Sequence, residues 1–242
     1  MHHQAHTITK IRCCRLARAT SITKPAVYLA KLLLCYLFKD YPGAIENARA
    51  AEKSTGFALP LMSFGEYTFY YSLALLAMYP HVETTEQQEY MAVVTQNQKR
   101  MQRWVDRCSA NYQHKYDLVE AEINRVLGNT VKAMSDYDCP RGTAKGDRAK
   151  PCGGFRIAGA KAQEYVQEEA LGNELAAKFY PELGKEKIAS VYMSDAHYCY
   201  TLWGATRKVE NLEEEYPQFF TRTTKGATTS RRTLTTNDTS NL

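Results

Sequence analysis

An all-α fold of stacked antiparallel helical hairpins, solenoid-like in arrangement and interrupted by a long irregular insertion, is what this 242-residue chain predicts. Apolar residues recur at steps of three and four through residues 25–138 and 161–220, the spacing of one helix face. The runs stop at proline or glycine after about one helix each: Pro42, Gly56, Pro80, Gly128, Gly184, Gly204 and Pro217. The 17 tyrosines cluster on these stripes, where a large amphipathic ring suits the seam between helices.

Residues 1–24 are an irregular basic leader. A first helix starts at Pro25 and turns Tyr28, Leu29, Leu32, Leu33, Tyr36 and Leu37 to one side. Lys39-Asp40-Tyr41-Pro42 makes the turn into a returning helix with Ala44, Ile45, Ala48 and Ala51 inward. The next helix covers 59–78. Thr84 and Thr85 with Gln87 and Gln88 read as a capped start for a long helix to about Arg107. Helices over 112–127 and 130–137 complete the first helical part, 25–138.

The periodicity then fails. Residues 139–159 hold five glycines and two prolines, and segment 139–160 reads as an irregular basic insertion. The second helical part, 161–220, contains the block that organises the rest, 167–220. Its three stripes are Ala170, Leu171, Leu175, Ala176, Phe179 and Leu183; then Ile188, Ala189, Tyr192, Met193, Ala196 and Tyr200; then Val209, Leu212 and Tyr216. Such a unit cannot bury its apolar face alone, so helices must stack on either side. Residues 221–242 form a Thr/Ser-rich tail with little to bury.

The net charge of +5 lies mostly in the least regular segments: residues 1–40 carry seven Lys/Arg against Asp40 alone. A nucleic-acid footprint should follow one folded face, so no nucleic-acid partner is expected. The apolar run 29–38 is too short to span a bilayer, and a cytoplasmic location without a membrane span is the expectation.

No constellation of side chains makes a catalytic, cofactor or metal site. Cys139 and Cys152 are half a metal site at most, with no further Cys or His nearby to complete four ligands. Gly142 to Lys150 lacks the spacing and the Gly-Lys-Ser/Thr ending of a phosphate loop. His2, His3 and His6 lie in the leader, His81 beside Pro80, and His114 and His197 on helices where no acidic or cysteine neighbour at i+3 or i+4 completes a familiar constellation. Glu164, Glu168 and Glu169, and Glu213 to Glu215, read as solvated faces that counter Lys161 or Lys208. Trp104 and Trp203 are assigned to inner positions, and Cys35, Cys108 and Cys199 to helical packing.

Asp40, Tyr41, Ala44, Ile45, Ala48 and Ala51 match the second half of a tetratricopeptide pattern. Looser units turn at Gly128-Asn129 and Gly184-Lys185. Over 31–138 and 161–220 the chain resembles the helical region of large cyanobacterial multidomain signalling kinases. In that family a serine/threonine-kinase-like domain and an AAA-type ATPase precede this region, and a GAF sensor and a histidine kinase follow it. The resemblance implies a non-catalytic scaffold or protein-interaction segment, a fragment of such a kinase, that binds a protein partner or the adjacent domains. The alternative it implies is the parent's ATP-dependent histidine or serine/threonine phosphotransfer, with the catalytic domains absent.

The insertion offers only Phe155 and Ile157 as sizeable apolar side chains, too few to offset the entropy of ordering it. Limited trypsin digestion should therefore cut first at Arg141, Lys145, Arg148 or Lys150 and leave two helical pieces that stay associated. Deletion of 140–159 should leave helix content nearly unchanged by circular dichroism.

Overall fold

The computed structural model describes residues 23–54, 61–138 and 165–220. Nearly all of the leader, together with the insertion and the tail, lies outside them. All regular structure among the described residues is helical. It comprises α1 (Thr23–Leu37), α2 (Tyr41–Lys53), α3 (Leu61–Met78), a 3-10 turn (Tyr79–His81), α4 (Thr84–Val105), α5 (Ser109–Val126), α6 (Thr130–Asp138), α7 (Val166–Glu182), α8 (Glu186–Trp203), α9 (Thr206–Glu215) and α10 (Pro217–Phe220). Sequential helices pack as hairpins, most extensively α7 on α8 and α1 on α2. Across the hairpins α1 meets α3, α3 meets α5, and α5 meets α7.

Four corners share one hydrogen-bond pattern. At α1–α2, Lys39 N–H donates to the Tyr36 carbonyl and Asp40 N–H to the Cys35 carbonyl. The same pair of bonds closes α5 at Gly128 and Asn129, α7 at Gly184 and Lys185, and α8 at Gly204 and Ala205. This closure needs a left-handed residue, and glycine supplies it at three corners with φ between 68° and 79°. Lys39 supplies it at the first, with φ 63°. Asp40 then caps α2, its carboxylate accepting from Gly43 N–H at 3.1 Å. At α4 the expected threonine cap is not made: Glu83 is the N-cap without a side-chain bond, and Gln87 instead donates to the Tyr79 carbonyl at 3.0 Å.

Helix α3 is the axis of the first part. Every residue from Tyr67 to Leu76 is buried, so the helix has no polar side to give it a clean period. Its hydroxyls are satisfied internally: Thr68 donates to the Phe64 carbonyl, Ser72 to the Thr68 carbonyl, and Asn97 of α4 to Ser72. Gly65 admits the Tyr112 ring, whose Cε1 would stand 2.8 Å from an added Cβ. Helix α7 is likewise buried along nearly all of Glu168 to Tyr180, and its small residues Ala170, Gly172, Ala176 and Ala177 let its neighbours approach. Three inward assignments are overturned. Ile188 is exposed on α8, Trp203 lies exposed at its end, and Cys108 is an exposed N-cap of α5.

The stack also turns back on its own beginning. Lys39 pairs with Glu215 of α9, donates to the Tyr216 hydroxyl at 2.7 Å, and lies 4.7 Å from the centre of the Tyr216 ring. Left-handed backbone at a non-glycine residue costs about 1–2 kcal/mol, and this lysine's side chain is one of the contacts that join the first corner to the last helices. Lys39→Ala should keep the strain and lose the contact, whereas Lys39→Gly loses both. Urea unfolding should therefore find the alanine variant less stable than the glycine variant by about 1 kcal/mol. Equal stability would show that the backbone at this corner is unstrained.

Candidate functional site

Helices α5, α7 and α9 each turn ionisable groups inward, among them Lys115, Glu168, Glu174 and Lys208. Glu168, expected on a solvated face, is 1% exposed. Its Oε1 accepts from Lys115 Nζ at 2.6 Å, and the same ammonium stands 3.0 Å from Glu66 of α3. Lys115 therefore ties α5 to both α3 and α7, with the rings of Tyr165 and Phe69 at 5.1 and 5.8 Å. Burial pushes the Glu66 carboxyl up and Glu168 adds to it, while Lys115 opposes both. Burial works against the charge of Lys115, yet Glu66 and Glu168 carry its pKa above the usual lysine value.

A second cluster centres on Glu174. It accepts from Lys178 at 2.6 Å, Lys208 at 3.0 Å and the Tyr200 hydroxyl at 2.8 Å. Lys208, read from the sequence as a counter-charge to the solvated glutamates, is 3% exposed, pairs with Glu174 instead, and donates also to the Leu37 carbonyl at 2.7 Å. Burial alone would raise the Glu174 carboxyl; Lys178 and Lys208, with the Lys178 and Tyr200 hydrogen bonds, bring it down to about 2. Burial lowers Lys208, helped by Lys178 and Lys39 and opposed by Glu174. A third group joins Glu122 to Arg125 at 2.8 Å and to the Tyr137 hydroxyl of α6.

These arrangements hold helices together; none presents a nucleophile beside a base at an open cleft. His114 is buried and stacked on Tyr165 at 4.6 Å, and burial, aided by Lys115, pulls it down to about 3. His197 of α8 meets Glu213 of α9 at 2.7 Å and packs on Phe220. His81 is exposed at the end of the 3-10 turn. Trp104 packs against Phe64 and Tyr112. Among the described residues no three His, Cys, Asp or Glu side chains stand close enough to hold a metal. Cys139, Cys152 and Glu164 lie outside those residues. An open slot of about 550 Å³ between α2 and the start of α4 is lined by Ile45, Arg49, Met78, Val82 and Tyr90 among others. No described helix is long and apolar enough to cross a membrane.

The comparisons agree with the coarse reading. Over 58 residues, 24% of the chain, it is 43% identical to hybrid signal transduction histidine kinase G of Dictyostelium discoideum. The match spans 2% of that protein's length. No family model matches the chain, and no solved structure matches it. The chain is a helical segment with partial similarity to a signalling histidine kinase.

His114 carries a pH dependence whose sign follows from its environment. Its unfolded pKa is about 6.5 and its folded value lies far below. The unfolded chain therefore binds the extra proton, and stability falls as pH drops from about 6.5 toward 3. Glu174 adds a loss below about 4.5 as its folded carboxylate resists protonation down to about 2. Glu66 has the opposite sign, since its folded state keeps the proton longer. Urea midpoints at pH 7 and pH 5 should show a loss of up to about 2 kcal/mol on acidification, mostly absent in His114→Gln. A gain on acidification would mean that Glu66 outweighs His114.

Proposed function

We propose that this chain is a non-catalytic helical scaffold and protein-interaction segment associated with a signal-transduction kinase. The observation that supports it best is the use made of its buried charges. Lys115, Glu168, Glu174 and Lys208 each bridge one helix to another inside the fold, which leaves recognition to the outer faces. Repeated hairpins joined by short corners give a stiff frame of this kind. The partial similarity to a histidine kinase supports the signalling association, and a tetratricopeptide-like origin for the hairpins belongs to the same reading. Catalysis then resides in other domains of a longer kinase, and the cytoplasmic setting follows from that parentage.

The second reading assigns phosphotransfer to this chain itself, on the strength of the same similarity. Incubating the purified chain with radiolabelled ATP and Mg²⁺ separates the two. No acid-labile or acid-stable phosphate should enter the protein. Incorporation that disappears on replacing a single histidine, serine or threonine would overturn the scaffold reading.

A further inference from the structure

Helix α8 is apolar on two sides. Ala189, Met193, Ala196 and Tyr200 face α7 and α9 and are buried. About half a turn around the helix, Ile188, Val191, Tyr198 and Leu202 follow one another at steps of three, seven and four residues, and all are exposed. Val191 is 61% exposed, Tyr198 66% and Leu202 63%; Trp203, the next residue, is also exposed but turns toward Tyr200. The ribbon runs for about 21 Å at 1.5 Å per residue. The outward side of α4, by contrast, is made of Gln88, Thr95, Lys99 and Arg103, as a solvated helix face should be. An exposed apolar strip of this kind is a mark of an interaction site.

The one break in the ribbon says what fits it. Asp195 stands at the midpoint between Ile188 and Leu202, on the same line, and is exposed. No basic residue lies three or four positions away on its own helix, where Val191, Tyr192, Tyr198 and Cys199 stand instead. A second copy of the chain laid against this ribbon, antiparallel or parallel in register, brings Asp195 against Asp195 as the apolar sides close. Like charges so placed are destabilising. An amphipathic helix with a lysine or arginine in the middle of its apolar face meets the same ribbon without conflict, and its cation finds a carboxylate as water is excluded.

We infer that the outward ribbon of α8 is a docking surface for an amphipathic helix of another protein, with Asp195 selecting a basic residue at the centre of that helix's apolar face. The inference rests on the interaction-segment reading and deepens it. Two synthetic 18-residue helical peptides test it, sharing a leucine face and differing only in a central lysine or glutamate. Titrated against the full chain and followed by fluorescence anisotropy, the lysine peptide should bind at least tenfold tighter than the glutamate peptide. Asp195→Lys should reverse that order, and Leu202→Ser should weaken the lysine peptide. The Trp203 indole resonance should move on binding while that of Trp104 stays in place. Circular dichroism of both variants controls for folding, which these exposed positions leave intact.

Equal affinity of the two peptides, binding of neither, or an order unchanged by Asp195→Lys would overturn the inference. So would a dimer of the chain alone, seen by sedimentation velocity and abolished by Leu202→Lys, since a second copy would then own the ribbon. Phosphate incorporation from ATP would count against the scaffold reading and leave the peptide preference standing, so the two failures are distinguishable.

Discussion

The ammonium of Lys208 is the contact on which the closed arrangement depends. It joins three chain segments at once: it lies on α9, donates to Glu174 in the middle of α7, and donates to the Leu37 carbonyl at the end of α1. That carbonyl is one of the last four of α1, which have no partner inside their own helix. A cation there also meets the negative end of the helix dipole. Lysine is the economical choice of side chain, because one flexible stem reaches both a carboxylate and a helix end.

Charges buried in this way contribute less to net stability than their number suggests. Desolvation offsets much of the attraction, and an apolar replacement of the whole group can be as stable. Removing one member is different, because it strands another: Glu174 without Lys208 keeps Lys178, but the Leu37 carbonyl keeps nothing that these bonds supply. The clusters therefore act on register. Lys115 fits between Glu66 and Glu168 only when α3, α5 and α7 stand at the correct height, whereas an apolar seam tolerates sliding.

The helices and most of their ends were legible in the sequence because the apolar steps, the glycines and Pro25 are local signals. The corner glycines at 128, 184 and 204 occupy the left-handed positions such residues favour. What was not legible is the direction of the charged residues. An amphipathic pattern has one inside and so places Glu168 on a solvated face, whereas α7 is buried nearly all round. The signal that could have shown it is the setting of Glu168 and Glu174 among Ala170, Gly172, Ala176 and Ala177, since small residues on several sides let neighbours close in everywhere. Ile188 departs from its expected inward place for the converse reason: α8 carries two apolar stripes, and a linear pattern merges them. The Glu66–Lys115–Glu168 group joins residues about fifty positions apart, which no local pattern can express.

The closing contact has a consequence for the order in which the protein can be built. Most of the packing links neighbouring hairpins, which form quickly once their residues exist. The Lys208–Leu37 bond spans 171 residues, and Lys39 meets Tyr216 across 177. Synthesis at about 5–20 residues per second leaves the end of α1 without these partners for roughly 10–30 s after it is made. The first hairpin must therefore hold its shape through α3, with its terminal carbonyl in water, until the last helices arrive. Closure is the late and non-local step, and a chain released before α9 would keep its hairpins while lacking the contacts that join its beginning to its end.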